Sequence, residues 1–294
     1  MTPSKRVAIV TGAGGGLGGA FATALARDGL AVLVSNRHRA AGPASAELLA
    51  DRLRAEGLIA VADRHAVDAA GAAQAIIGAA LDAFGRLDVL VLNAGISGVA
   101  GKIGPELAPD LAQILAVNFV ANAALVSAAL PYLRASPSAR IVFVSSTAGL
   151  HGLRGRAAYA ASKGALTAYA LTLADEQRRT GIGVNIVMPY AETKMTEDAP
   201  DGALVAFAPQ KVAPLISWLA SEDCADTGER WVAGGGRWRR AYMVETRGGV
   251  SIDAAGRAAI ADREGARSYP GGDAAFADML ADVDALTLTG AFGG

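Results

Sequence analysis

The chain has 294 residues, 52% hydrophobic and 19% charged, with a formal net charge of −1 at pH 7. That length suits one large domain or two small ones with a substantial core, and the composition excludes a disordered chain. Dispersed Lys and Arg leave no electrostatic footprint for nucleic acid, and the single cysteine, Cys224, excludes an internal disulfide.

Met1-Thr-Pro-Ser-Lys-Arg runs straight into the apolar Val7–Val10, with no secretory pattern ahead of it. No apolar run reaches the ~18 residues of a bilayer span, so no membrane partner and a cytoplasmic location are expected. His38, His65 and His151 stand far apart with no carboxylate pattern between them, so no protein-built metal site is expected.

Lys5 to Thr11 reads as a strand apolar on both faces, the mark of a parallel sheet. It breaks into Gly12-Ala-Gly14-Gly15-Gly16-Leu17-Gly18-Gly19, followed by a helix over Ala20 to Arg27. Strand, glycine-rich turn and helix together form the context of a dinucleotide-binding turn. The glycines let the backbone approach a pyrophosphate, and the helix N-terminus supplies N–H groups and a positive dipole end. Gly12, Gly14, Gly15, Gly16, Leu17 and Gly18 are the candidate contacts.

A second buried strand, Ala31–Ser35, ends in Asn36-Arg37-His38-Arg39. An acid at this place accepts from a free ribose 2′-OH, whereas an arginine accommodates a 2′-phosphate. Arg37, with Arg39 close by and no acid, points to NADP, with NAD as the alternative. Ala46 to Ala55 reads as a helix, Ile59 to Ala62 as a third strand, Ala69 to Phe84 as a helix and Leu87 to Leu92 as a fourth strand. That strand opens into Asn93-Ala94-Gly95, a turn that either faces a cofactor ring or simply seals the strand end. A long apolar helix runs from about Pro109 to Leu130 and contains Asn118, whose amide either bonds the backbone or opens the helix to a water.

The fifth strand, Ile141–Ser145, delivers Ser146, placed to hold a substrate oxygen by a hydrogen bond. The next helix carries Tyr159 and Lys163, four apart and so on one face. A phenol has a pKa of about 10, and a neighbouring ammonium lowers it, so the tyrosine can exchange a proton near neutral pH. Gly183 to Met188 is a sixth strand stopped by Pro189. Thr193 begins a polar segment to about Pro209, either a lid or a surface loop. Val212 to Ala220 is an amphipathic helix and Arg230–Val232 a seventh short strand, closed by Gly234-Gly235-Gly236.

Repeated β-α alternation predicts an α/β, Rossmann-like, doubly wound parallel sheet of about seven strands with helices on both faces. Residues 1–236 form that domain. Residues 237–294 form a C-terminal extension, a short ribbon and polar helical turns packed on the same domain or on a partner subunit, with Gly290–Gly294 frayed. The helices from about Pro109 and Ala157 are apolar enough to pair with copies of themselves, which favours a homodimer or homotetramer.

Thr11-Gly12-x-x-x-Gly16-x-Gly18, Asn93-Ala94-Gly95, Asn118, Ser146, Tyr159-x-x-x-Lys163 and Pro189…Thr193, in that order over residues 5–236, resemble the short-chain dehydrogenase/reductases. The resemblance implies that Tyr159 is the general acid/base and that Lys163 lowers its pKa and bonds the nicotinamide ribose. It also implies that Ser146 positions the carbonyl, Asn118 holds a water in a proton relay, Asn93 lies beside the cofactor and Thr193 contacts its carboxamide. Tyr190 stands where the family has a glycine after the proline, and the Pro-to-Thr spacing is one residue short. The glycine turn, the long connection from Arg39 to Glu56 and the stretch from Val212 to Arg247 further resemble the dehydrogenase part of the peroxisomal multifunctional enzymes of type 2, which oxidise (3R)-hydroxyacyl-CoA esters with NAD. Arg37 replaces the acid expected after the second strand, and His65, with Asp63 two residues earlier, replaces an aspartate near the adenine.

The expected function is hydride transfer between a nicotinamide and a secondary alcohol or ketone, with a 3-hydroxyacyl or 3-oxoacyl thioester as the first substrate class. A steroid or polyketide-like ketone is the second. A non-catalytic dinucleotide sensor is the reading from another class, and it predicts damage to the set Asn118, Ser146, Tyr159 and Lys163, all of which are present. A Rossmann-like methyltransferase has no use for Tyr159 and Lys163.

Overall fold

A computed structural model of the chain describes residues 5–38, 44–104, 107–191, 207–249 and 252–288. Arg39, Thr193 and the final glycines lie outside the described residues, as does most of the polar segment after Pro189. The described residues fall into two compact units, Met1–Arg240 and Ala241–Gly294.

The first unit alternates strands and helices. In chain order these are β1 (Val7–Thr11), α1 (Gly16–Arg27), β2 (Ala31–Ser35), α2 (Ser45–Ala55), β3 (Ala60–Asp63), α3 (Ala72–Phe84) and β4 (Val89–Leu92). Then come α4 (Leu107–Leu115), a π-turn over Ala116–Val120, α5 (Ala121–Arg134), β5 (Arg140–Val144), the short α6 (Ala148–His151) and α7 (Ala157–Glu176). Last are β6 (Gly183–Tyr190), α8 (Ala213–Ala220), β7 (Arg230–Gly234) and β8 (Arg237–Arg240). The sheet order is β3-β2-β1-β4-β5-β6-β7-β8, parallel from β3 through β7. Chain order reverses direction at β1/β4, and ligands of such sheets bind at the carboxyl ends of the strands beside that reversal.

The continuous apolar runs of β1, β2, β4 and β5 are buried throughout, because helices cover both faces. On one face Phe21 and Leu25 of α1, Leu49 and Leu53 of α2 and Ile216 of α8 pack on Ala8, Val10 and Val32. On the other, Ile76 of α3, Leu125 and Leu133 of α5 and Leu166 and Leu173 of α7 pack on Ile9, Leu90, Phe143 and Met188.

Two expectations are corrected here. Among the described residues the sheet has eight strands, and the last is antiparallel: Arg237–Arg240, read as part of an appended ribbon, pairs with β7. Gly235 (φ +59) and Gly236 (φ +76) supply the two consecutive positive-φ residues that a tight hairpin needs, so the chain turns straight back onto β7. Secondly, Asp110–Arg134 is a run long and apolar enough, by length and composition, to cross a bilayer. Asn118 and Asn122 had masked that continuity; Leu125, Val126, Ala129 and Leu133 of this run pack on the sheet as a core helix.

The second unit contains α9 (Ala254–Ala261) and α10 (Gly272–Leu288). Asp253 caps α9 by accepting from the Gly256 N–H at 2.8 Å. Glu245 and Arg267 exchange backbone hydrogen bonds, and Asp278 binds both Arg267 and the Tyr269 hydroxyl.

Candidate active site

At the carboxyl end of β1 the glycine turn leaves no room for a side chain at Gly12, Gly14 or Gly18. Gly12 has φ +64, and a Cβ there would lie 2.9 Å from the Ala94 Cα. A Cβ on Gly18 would lie 2.3 Å from the Gly12 carbonyl, and one on Gly14 would lie 2.2 Å from both Asn36 Nδ2 and Ser45 Oγ. Gly15 has nothing within 4 Å, so its missing side chain opens space instead of relieving a clash. This cradle, at the start of α1, fits the pyrophosphate of a nicotinamide dinucleotide. Leu17 packs on the core and anchors the turn.

The turn is tied to the end of β4. The Thr11 hydroxyl accepts from the backbone N–H groups of Asn93 (3.0 Å) and Ala94 (3.1 Å), and Asn93 Nδ2 donates to the Thr11 carbonyl at 2.9 Å. Asn93-Ala94-Gly95 is therefore held beside the glycine turn. A Cβ on Gly95 would lie 3.2 Å from Asn118 Oδ1 and 3.4 Å from Lys163 Nζ, which brings three separated motifs to one point.

Asn118 sits in the π-turn, fully buried. Its Oδ1 accepts from the Ile96 N–H at 2.8 Å, and its Nδ2 donates to the Ile96 carbonyl and to Ser162 Oγ. Its own carbonyl accepts from Asn122 Nδ2 at 2.7 Å. The amide thus bonds the backbone of the Gly95–Ser97 stretch and locks it to α7. π-bulges of this kind concentrate at functional sites.

Ser146 follows β5, and Tyr159 and Lys163 lie on the buried side of α7. The Ser146 hydroxyl accepts from the Ala148 N–H at 3.1 Å and acts on the Tyr159 phenol by favouring its ionised form. Lys163 Nζ donates to the Val144 carbonyl at 2.8 Å and lies 5.8 Å from the centroid of the Tyr159 ring. Burial lowers the Lys163 pKa to about 8. Burial also raises that of Tyr159, against the opposing pull of the Ser146 hydrogen bond and the charge of Arg156. The expected lowering of the phenol by Lys163 is not expressed in this geometry. The ammonium donates to a strand carbonyl and lies over the ring, and burial dominates the phenol's pKa.

At the end of β2, Arg37 is exposed and, among the described residues, has no ion pair. Asn36 donates to Ser45 Oγ at 2.7 Å. Pro189 pairs with Ala233 at the end of β6, with Tyr190 beside Gly234.

Sequence reasoning missed several supports. Ser145 Oγ and Thr167 Oγ1 both donate to the Lys163 carbonyl, at 3.0 and 2.8 Å, and fix the helix turn that carries the lysine. Thr167 lies four residues after Lys163, the one available signal. Asp63 accepts from Ser35 Oγ at 2.8 Å and lies 2.5 Å from His65 Nδ1, a pairing across β2 and β3 that the sequence does not announce.

A buried phenol near a serine hydroxyl, with an ammonium beside its ring at the open end of a parallel sheet, can deliver a proton to a carbonyl oxygen or remove one from an alcohol. The bound nicotinamide would supply or accept the hydride.

A family model for short chain dehydrogenases matches residues 6–203. A 3-oxoacyl-[acyl-carrier-protein] reductase of Synechocystis is 32% identical over 243 residues, covering 79% of this chain and 97% of that protein. The peroxisomal multifunctional enzyme type 2 of Mus musculus is 35% identical over 248 residues, 80% of this chain. The chain spans only 33% of that longer enzyme. The crystal structure of a short chain dehydrogenase from Mycobacterium avium superposes with a TM-score of 0.75 at 35% identity, covering 85% of this chain and 89% of that one. The chain therefore belongs to the short-chain dehydrogenase/reductase family and is an NAD(P)-dependent oxidoreductase that transfers hydride between a nicotinamide and an alcohol or ketone.

Proposed function

We propose that the protein works with NADP(H) and acts on 3-oxoacyl and 3-hydroxyacyl thioesters. The observation that carries the catalytic reading is the convergence of Tyr159, with Lys163 packed beside its ring, Ser146 and Asn118 beside the Gly95 backbone. Tyr159 exchanges the proton with the substrate oxygen, and Ser146 holds that oxygen. Asn118 keeps the Gly95 backbone in place and serves the proton relay, and Lys163 supplies positive charge to the ribose side of the site. The glycine turn, Asn93, Ala94, Gly95, Pro189 and Thr193 hold the dinucleotide.

Two observations support NADP over NAD. Arg37 offers a guanidinium at the end of β2, where the ribose 2′ substituent of such folds lies. The neighbouring acids are committed elsewhere: Asp63 to Ser35 and His65, and Glu47 to Arg64. The thioester class is supported by the likeness to the Synechocystis reductase, whose name specifies such a substrate. Steroid and polyketide-like ketones are the second class, and a non-catalytic sensor is disfavoured by the intact tetrad. A homo-oligomer accords with the exposed Val120 and Tyr132 on the α4–α5 run.

The test is turnover of a panel of acyl thioesters and bulky ketones with NADPH and with NADH. Oxidation of NADPH by a 3-oxoacyl thioester is expected. Turnover confined to bulky ketones would overturn the thioester class. Tight NADPH binding without turnover of any member would favour the sensor.

A further inference from the structure

A cavity of about 540 Å³ opens beside the ends of β6, β7 and β8. Tyr190, Phe207, Val232, Gly234, Arg237 and Arg239 line it. Register explains why these residues meet. Met188 pairs with Val232 and Tyr190 with Gly234, while Val232 faces Arg239 and Gly234 faces Arg237. Side chains two apart on a strand share a face, so all six pairing residues point to one side of the sheet. That side is the one on which Leu166 and Leu173 of α7 pack, since Met188 belongs to their cluster. The cavity therefore lies on the face that carries Tyr159 and Lys163, and at the end of the sheet where β5 delivers Ser146. From β5 to β8 is three strand spacings, roughly 14 Å.

The lining has a definite chemistry. Tyr190 and Phe207 are large aromatic side chains left 50% and 40% exposed. Gly234 is what lets them come together: a Cβ there would lie 2.7 Å from the Tyr190 Cβ and 3.3 Å from Phe207 Cδ1. Arg240, on the opposite face of β8, stacks on Trp231 and pairs with Asp226 and Glu229. Among the described residues, no ion pair engages Arg237 or Arg239. Two uncommitted guanidinium groups beside two aromatic faces form a site for a planar base carrying phosphate. Tyr190 occupies the position at which this chain departs from the family motif.

We propose that this cavity is a subsite for the nucleoside bisphosphate end of a coenzyme A thioester, with its pantetheine arm running back along the sheet end toward Ser146 and Tyr159. Arg237 and Arg239 bind the phosphates, and Tyr190 and Phe207 flank the base. The inference rests on the thioester reading above and deepens it.

Two measurements separate the subsite from that reading. In the first, adenosine 3′,5′-bisphosphate is titrated calorimetrically into NADPH-saturated protein, so that the dinucleotide site is filled. The parent should bind it, and Arg237→Glu/Arg239→Glu should weaken binding by roughly tenfold or more, with Arg237→Gln intermediate if the double variant folds poorly. In the second, kcat/KM is compared for one 3-oxoacyl group carried on coenzyme A and on N-acetylcysteamine. The parent should favour the coenzyme A ester through KM, and the arginine variants should shrink that ratio. Equal turnover of both esters with no binding of the bisphosphate overturns the subsite while leaving the thioester reading intact. Turnover of neither ester overturns the thioester reading itself, and the coenzyme A proposal with it. A parent that ignores the bisphosphate and prefers an acyl-carrier-protein thioester would assign the arginines to an acidic protein partner, against the proposal.

Discussion

The Lys163 ammonium donates to the carbonyl of Val144 at 2.8 Å, joining α7 to the last residue of β5 just ahead of Ser145 and Ser146. α7 and the strand that leads to Ser146 thus share one buried charge. Burial puts the Lys163 pKa at about 8, so the ammonium is present below that pH and lost above it. Ketone reduction should hold steady at neutral pH and fall as pH rises past about 8. The Tyr159 pKa is raised, so this fall cannot come from early loss of its proton. Lys163→Arg, which stays charged, should lower the rate but move the decline to higher pH. A pH profile of kcat/KM for parent and variant checks this, and a decline at the same pH in both would dissociate it from Lys163.

Tyr159→Phe keeps the ring packed beside Lys163 and removes the transferable proton. Activity should drop by about 10²–10⁴-fold with dinucleotide affinity largely kept. Single-turnover rates and a binding titration on the same preparation test the two halves separately. A variant within a few-fold of the parent would remove Tyr159 from the proton transfer.

The glycine turn contains two different reasons for glycine. Gly18→Ala drives a methyl to 2.3 Å from the Gly12 carbonyl, a backbone atom that cannot swing aside. A loss of about 1–3 kcal/mol in unfolding free energy is expected, as for other overpacked sites. Gly15→Ala meets nothing within 4 Å, and its backbone is extended, so stability should change by less than about 0.5 kcal/mol. Its cost should appear instead as weaker dinucleotide binding, because the methyl enters the space left for the pyrophosphate. Urea denaturation and cofactor titration of both variants would show whether the two effects separate.

Arg37→Asp should reverse the preference between cofactors. One charge-assisted contact contributes roughly 1.5–3 kcal/mol, so the parent should favour NADPH by roughly one to two powers of ten. The aspartate would repel the 2′-phosphate and accept from a free 2′-OH. Dissociation constants for NADPH and NADH in both proteins decide the point. An NADH-preferring parent would show that Arg37 does not read the ribose.

The sequence by itself determined the alternation of strands and helices, the glycine turn and the spacing of Tyr159 and Lys163. Each of these is a local pattern: a continuous apolar run, a cluster of residues without Cβ, two side chains four apart on a helix. Tertiary structure decided what those patterns touch. Nothing local announces that the Asn118 amide ties Ile96 to Ser162, or that Thr167 and Ser145 converge on the Lys163 carbonyl. These are contacts across 18 to 44 residues of chain, apart from Thr167, and they exist only once β5, the π-turn and α7 are packed. The direction of β8 was settled in the same way. Arg237–Arg240 is charged at every second or adjacent position and carries no buried face, so no periodicity marks it as a strand. It becomes one because two positive-φ glycines turn the chain back onto the open edge of β7, whose unpaired backbone groups accept it.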